Sequence, residues 1–411
     1  MDRISSVSSH LNHHKTVIGS KSQDDIVICG ALRTALGKAK RGNLKDTATE
    51  VLLSQVFNAL VDKTGVDKNL VEDIVVGNVL QSGAAFMPSR MAQFLSQFPE
   101  TTSCMSVNRL CSSGLEAISI IAGKIASGTI EMGIGAGVES MSQYDMNNLV
   151  NPETLSEFVF ENENARNCML SMGETSENVC DEFKITRQEQ DEFALKSQEK
   201  AAKAQAQGLF DSEIVPVHTK VLDKDGEEKD IVVSKDEGIR KTTMETLQKL
   251  KPAFRKNGST TAGNSSQVTD GAAAVLLCKR SKAEKLGLPI IAKWVCYATA
   301  GVPPHVMGIG PAFAIPVALG KAGISADKVD VFEINEAFAS QAYYTCKKLG
   351  LNLDKVNPKG GAIALGHPLG CTGARQMATI LPELKRTNGK IGVLSMCIGT
   401  GMGAAAVIEM E

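Results

Sequence analysis

The order of strands and helices constrains this chain more than any single residue in it. From Asp25, DIVICGALRT reads as an apolar strand entering a glycine-containing turn. A helical stretch over about residues 46–63 follows, then the strand-like VEDIVVGNV. LCSSGLEAISIIAGKIASG is apolar on most faces, which predicts a buried helix, and EMGIGAGVES is a further glycine-rich strand. A similar order returns near the C-terminus. PIIAKWVCYATA predicts a strand, PAFAIPVALGKAG a helix, and KVDVFEINEAF a strand and turn. GGAIALGHPLGCTGARQMATILPELK gives a glycine-rich turn and a helix, and KIGVLSMCIGTGMGAAAVIEM a strand, glycine loop and strand. Strands alternating with helices define an α/β fold, and two series of like order imply an internal duplication.

Between the two series, over residues 143–267, the texture changes and charges rise. Thr186 and Glu189 form a capping box before RQEQDEFALKSQEKAAKAQAQ, and Gly208 ends that helix. Asp225-Gly226 between VHTKVLD and EEKDIVV marks a hairpin turn. This stretch reads as a loop domain inserted over the α/β body, either covering an active site or decorating the surface. The expected division is a flexible or targeting segment 1–24, an N-terminal half 25–142 plus 268–288, the loop domain 143–267, and a C-terminal half 289–411.

Composition narrows the function classes. Among 411 residues the formal net charge is −2, which gives no general reason to expect nucleic acid or an anionic membrane as partner. No apolar run is long enough to cross a bilayer, so a soluble protein is expected. The ten cysteines contain no CxxC pair and follow no apolar secretory leader, so reduced intracellular thiols are expected. There is no GxxxxGK[ST] loop, HExxH or GxSxG elbow, and GIGAGV and GTGMGA both lack the last glycine of GxGxxG.

What remains is a set of cysteines and one histidine. Of six histidines, three lie in the opening tail, His218 lies in a polar strand, and His305 follows two prolines. His367, within ALGHPLGCTG, is held among small residues, as a catalytic or a surface-loop histidine could be. Cys111, in NRLCSSG, stands at the start of the buried helix, whose unpaired N–H groups favour a thiolate near neutrality. Core packing is the competing explanation for Cys111. Cys397, in SMCIGTGMG, lies where a strand enters a glycine loop that can offer backbone donors to a reacting oxygen. Cys371 reads as packing.

NRLCSSG, NEAF from Asn335 to Phe338, GHPLGCTGAR and CIGTGMG, in this order and spacing, resemble the thiolase family. TTAGNSSQVTDGA and GIGAGVESMS add to the resemblance, which covers essentially the whole chain beyond the tail. It implies duplicated βαβαβ halves in a layered α/β/α/β/α body, and 3-ketoacyl-CoA cleavage by coenzyme A through an acyl-cysteine. It further implies Cys111 as nucleophile, His367 as its base, and Cys397 as the acid/base at the α-carbon. Asn335 would hold a water that forms one oxyanion hole with His367; the N–H groups of Cys111 and Gly399 would form the other. Coenzyme A, a substrate rather than a cofactor, would lie near Met172, Ser266, Ala337 and Phe338. No cofactor or metal is implied, and a homodimer is. Ser171 stands where a branch of small-chain biosynthetic thiolases has histidine, which argues against specificity for acetoacetyl-CoA alone.

In the opening tail, Ile4, Val7 and Leu11 fall on one helical stripe. Arg3, Ile4, His10 and Leu11 resemble an N-terminal peroxisomal targeting signal. This implies the peroxisomal matrix, an import receptor as partner, and a place in fatty-acid β-oxidation. The same residues could run the reaction towards condensation, as in an acetyl-CoA acetyltransferase. A non-catalytic lipid-binding thiolase-fold protein and a decarboxylating ketosynthase are further alternatives. The ketosynthase would use one cysteine with two histidines, or with histidine and asparagine.

Overall fold

The computed structural model describes residues 17–146, 150–223 and 225–411. Its main sheet is built from β1 (Ile26–Thr34), β3 (Asp73–Gly77), β4 (Ser103–Val107), β5 (Met132–Ser140) and β9 (Thr269–Lys279) in the first half. The second half supplies β10 (Ala292–Gly301), β11 (Val331–Ile334), β12 (Ile391–Ile398) and β13 (Met402–Met410). Their order is β11-β12-β13-β10-β1-β9-β5-β3-β4, with short β2 (Gly37–Lys38) and β6 (Ile214–Val215) attached to β9 and β1. The halves meet where β1 pairs antiparallel with β10, Val27 opposite Lys293 and Ile28 opposite Ala292.

Reading outward from that seam shows the duplication. β9 and β5 follow β1 antiparallel, and β3 then joins β5 in parallel. β13 and β12 follow β10 antiparallel, and β11 then joins β12 in parallel. The first half carries one extra strand, β4, parallel on the outer edge of β3. The Ser113–Ala126 helix precedes β5, and the Thr372–Thr387 helix precedes β12, so these two helices occupy equivalent positions.

Both helices are buried in the same core. One hydrophobic cluster joins Leu115, Ile118 and Ile121 to Met377, Ile380 and Leu384, with Val275 and Leu277 of β9 and Leu394 and Ile408 of the second half. A second cluster covers the outer face of the first half-sheet with Leu52, Val56, Phe57 and Leu60 of the Thr49–Thr64 helix. A third covers the second half-sheet with Ala314, Ile315 and Ala318 of the Pro311–Ala322 helix. The layers are therefore helix, sheet, helix, sheet, helix. Each fully buried Leu or Ile in them contributes roughly 1.5–3 kcal/mol from its removal from water.

The central helices approach so closely because glycines face each other at the crossing. A Cβ on Gly114 would stand 2.6 Å from the Gly370 carbonyl oxygen, and one on Gly373 would stand 2.3 Å from Leu115 N. This crossing brings the turns preceding the two helices together, and those turns carry Cys111 and His367.

The stretch between β5 and β9 combines helices, of which Arg187–Ala206 is the longest, with a hairpin and irregular chain. The Arg187–Ala206 helix carries both arms of its capping box, and Gly208 follows in a left-handed conformation. The hairpin at Gly226 joins β7 (Val217–Leu222) to β8 (Glu228–Val233). A buried ion network fastens this stretch to the body. Arg33 of β1 donates to Glu213 at 2.8 Å and to both Asp236 oxygens at 2.7 and 2.9 Å. Lys359 of the second half reaches Glu213 at 2.6 Å. Removing one partner from such a buried network typically costs about 3–5 kcal/mol. Among the described residues, no helix is long and apolar enough to cross a membrane.

Candidate active site

Cys111 lies on the turn between β4 and the Ser113–Ala126 helix, one residue before the Ser112 N-cap. Leu110 takes a φ of 47°, a left-handed value that a leucine holds only when its surroundings compel it. Asn108 Oδ1 accepts from Leu110 N at 2.9 Å, and the Leu110 carbonyl accepts from Ser113 Oγ at 2.6 Å. The turn is thus tied on both sides of the cysteine. The thiol is buried beside Val79, Met141 and Leu369.

Burial pushes that thiol up to about 11, although the N–H groups of Gly399 and of Cys111 itself hydrogen-bond to it and pull the other way. The Glu139 carboxylate adds to the rise. The sequence pattern predicted a thiolate near neutrality from the helix start alone. The fold differs because desolvation outweighs the helix end, so the thiol needs a base.

His367 is also buried, and burial drives its imidazole down to about 3, with Arg375 adding a like-charge push. The ring is therefore neutral at neutral pH. Its Nδ1 stands 2.6 Å from Thr372 Oγ1, and its Nε2 stands 3.2 Å from Asn335 Nδ2. With the ring proton on Nδ1, the imidazole donates to Thr372 Oγ1 and accepts from the Asn335 amide at Nε2. The His367 N–H donates to the Gln267 carbonyl at 2.9 Å. Asn335 follows β11 and is held by its N–H to the Ser395 carbonyl of β12 at 2.9 Å; its Oδ1 is buried without a hydrogen-bond partner among the described residues.

Cys397 occupies the end of β12, its Sγ 3.6 Å from Gln341 Oε1. Burial pushes its thiol far up, and the nearness of Cys111 pushes it further, since two thiolates cannot form side by side. Gly399 opens the β12–β13 connection, where Thr400 and Gly401 take left-handed φ values of 69° and 98°. The backbone there turns so that the Gly399 N–H faces the Cys111 sulfur.

Met172 begins the Met172–Phe183 helix, capped by Ser171, whose side chain accepts from Glu174 N. Its sulfur lies 3.7 Å from where a Cβ on Gly399 would stand. Met172, Met307, Ala337, Phe338 and Cys397 form one apolar cluster. Ser266 N donates to the Ala337 carbonyl at 2.9 Å, and Phe254 meets the Phe338 ring edge-on at 5.8 Å. The fold thus draws Cys111, His367, Cys397, Asn335, Gly399, Met172, Ser266, Ala337 and Phe338 into one continuous region. Arg3, Ile4, His10 and Leu11 lie outside the described residues.

Several residues around the site were not singled out from the sequence. Thr372 lies in the same glycine-rich motif as His367, five positions on, and Gln341 lies one helical turn after Phe338. Glu139 was the most legible of them, as an acid in an otherwise small and apolar strand. Among the described residues, no group of three or more His, Cys, Asp or Glu side chains could hold a metal ion.

A duplicated five-layer body with two buried cysteines, a neutral histidine and converging backbone donors defines an acyl-transfer site. The thiolase N-terminal domain pattern matches residues 26–281 and the thiolase C-terminal domain pattern matches residues 288–410, and the chain belongs to the thiolase family. It is 58% identical over 390 residues to peroxisomal 3-ketoacyl-CoA thiolase B of Rattus norvegicus, covering 94% of this chain and 91% of that protein. It is 52% identical to the peroxisomal 3-ketoacyl-CoA thiolase of Yarrowia lipolytica over the full length of both. The crystal structure of the dimeric peroxisomal thiolase of Saccharomyces cerevisiae superposes with a TM-score of 0.88 at 48% identity, covering 96% of this chain and 99% of that one.

Proposed function

We propose that this chain cleaves 3-ketoacyl-CoA with coenzyme A, giving acetyl-CoA and an acyl-CoA two carbons shorter, in peroxisomal fatty-acid β-oxidation. The observation that carries this reading is the pair of adjacent buried thiols. Cys111 receives two backbone N–H groups at its sulfur, and Cys397 stands close enough to feel its charge.

In the proposed sequence, neutral His367 takes the Cys111 proton and the sulfur attacks the 3-keto carbon. The N–H groups of Cys111 and Gly399 hold the oxyanion; deleting such a donor typically costs about 3–4 kcal/mol. Collapse breaks the α–β carbon bond and expels the acetyl-CoA enolate. A water held by Asn335 forms, with His367, the oxyanion hole for its thioester oxygen, and Cys397 delivers a proton to its α-carbon. The Cys397 thiolate then accepts the proton of incoming coenzyme A, whose sulfur takes the acyl group from Cys111, and the departing Cys111 thiolate recovers its proton from His367. Coenzyme A enters as a substrate against Met172, Ser266, Ala337 and Phe338, and the chemistry needs no resident cofactor.

The division proposed for the chain is a targeting segment 1–24, halves 25–142 plus 268–288 and 289–411, and a coenzyme A-covering loop domain 143–267. Arg3, Ile4, His10 and Leu11 address the tail to a peroxisomal import receptor. The second copy of a homodimer docks on the first half's outer edge. There β4 leaves one side unpaired, and Phe86, Met87, Met91, Phe94 and Leu95 of the neighbouring helix are exposed. An open strand edge beside an apolar face is a surface that a partner must cover.

Mass spectrometry of the enzyme mixed with a 3-ketoacyl-CoA should find the acyl group on Cys111. Substrate binding without that adduct would favour the lipid-binding alternative. Rates across a chain-length series should extend beyond acetoacetyl-CoA; activity confined to the four-carbon substrate would favour the acetyltransferase reading.

A further inference from the structure

Glu139, the penultimate residue of β5, is fully buried and takes no part in the bond-making steps above. Its carboxylate is surrounded by donors from two sides. From the first half, Val79 N donates to Oε2 at 3.0 Å, and Leu80 N and Asn78 Nδ2 donate to Oε1 at 3.2 and 3.0 Å. From the second half, Gly370 N donates to Oε2 at 2.9 Å. Oε2 is thus shared by the two halves.

The residues gripped by this carboxylate flank the reacting thiol. Val79 and Leu369 line the Cys111 sulfur. Gly370 stands three residues after His367 on the turn leading into the Thr372–Thr387 helix. The far side of that turn is held independently, by Ile363 N to Glu336 Oε2 at 3.2 Å and by His367 N to the Gln267 carbonyl. On the near side Glu139 supplies the side-chain bond that crosses from the Cys111 half to the His367 turn.

We propose that Glu139 is a positioning residue for the thiolase reaction, setting the separation of the Cys111 and His367 turns by binding Val79 and Gly370 through one oxygen. Two properties are required of it, and they can be varied apart. Reach needs the full glutamate length, because the shared oxygen must lie within hydrogen-bond distance of both backbones. Charge makes the four donors favourable partners, while opposing a thiolate on Cys111. Glu139 also acts on Cys371, which is buried and pushed up to about 12.

This inference rests on the thiolase reading, so the test pairs turnover with alkylation of Cys111, which needs no substrate. Two variants of the full chain, E139Q and E139D, are compared with the parent for kcat, KM, and the pH midpoint of iodoacetamide labelling at Cys111. In E139Q an amide donor faces backbone donors and the negative charge is gone. Its kcat should fall about 10- to 100-fold with KM little changed, as for a misplaced catalytic pair. Its alkylation midpoint should move to lower pH, because the opposing charge is lost. E139D keeps the charge but loses reach, so its kcat should fall similarly while its alkylation midpoint stays at the parental value. A loss of stability alone would leave both midpoints in place.

The proposal is overturned if either folded variant turns over within about twofold of the parent. It is also overturned if KM rises in step with the fall in kcat, or if the E139Q midpoint does not move. E139D, which preserves the ion, decides the question should E139Q fail to fold. If the parent itself shows no thiolase turnover but the midpoints behave as stated, the functional reading fails and the positioning of Cys111 stands.

Discussion

The two halves of this molecule share a strand order and use the same two places in it for different purposes. Before β5 the turn carries Cys111, and before β12 the equivalent turn carries His367. After β5 the chain runs through residues 141–268, touching the sheet at β6 on the way, before returning as β9, whereas after β12 it returns through residues 399–401. The long connection brings Met172 to the site; the short one supplies the Gly399 N–H, two residues after Cys397 on the end of β12. Neither half holds a complete set of groups. A duplicated scaffold has diverged by placing complementary chemistry at matched positions, and the glycine crossing of the central helices joins the two.

Removing either thiol should show that the equivalent parts are not interchangeable. Cys111→Ala deletes the acyl acceptor, and kcat for thiolysis should fall by about 10⁴-fold or more; acyl-enzyme should vanish from the mass spectrum. Turnover near the parental rate would move the nucleophile elsewhere. Cys397→Ser should suppress cleavage and α-proton exchange by about 10²- to 10⁴-fold while acyl transfer to Cys111 stays measurable. Unimpaired cleavage in that variant would remove Cys397 from the proton step.

The joint between the halves can be opened without touching either thiol. In Gly373→Ala the new methyl would stand 2.3 Å from the Leu115 backbone nitrogen, which cannot rotate away. The variant should lose about 1–3 kcal/mol in chemical denaturation, and kcat should fall further than KM changes. Full stability would mean that the crossing has slack.

The smallest effect concerns acid stability. His367 is held near 3 in the fold against an ordinary 6.5. Above about 6.5 the ring is neutral in both states and contributes no slope. As pH falls from there towards 3, the unfolded chain takes up a proton that the fold refuses, so stability declines. Glu139, raised from 4.5 to about 7, has the opposite sign: its contribution is present below 4.5 and is lost as pH rises through 7. His367→Asn should therefore flatten the acid limb of the denaturation midpoint plotted against pH. An unchanged limb would assign that acid sensitivity to other groups.

Much of this was legible in the residues. Apolar runs and glycine turns locate β1, β5, β10, β12 and the central helices, and Thr186 with Glu189 locates the start of the Arg187–Ala206 helix. β4 was missed because SCMSV, half exposed on a sheet edge, shows no apolar contrast. Cys111 was ambiguous by itself, since helix-start cysteines often only pack; the motifs in family order singled it out.

Chemical identity was fixed by the sequence: which turns carry sulfur, imidazole and glycine, and in what order. Their electrostatics were decided by the tertiary structure. The helix start predicts an activated thiol, but burial by residues distant in the chain raises Cys111 to about 11 and lowers His367 to about 3. Desolvation depends on everything packed around a group, and no local pattern records it. The same holds for Glu139, whose partners at Val79 and Gly370 are remote in sequence and meet only when the halves close.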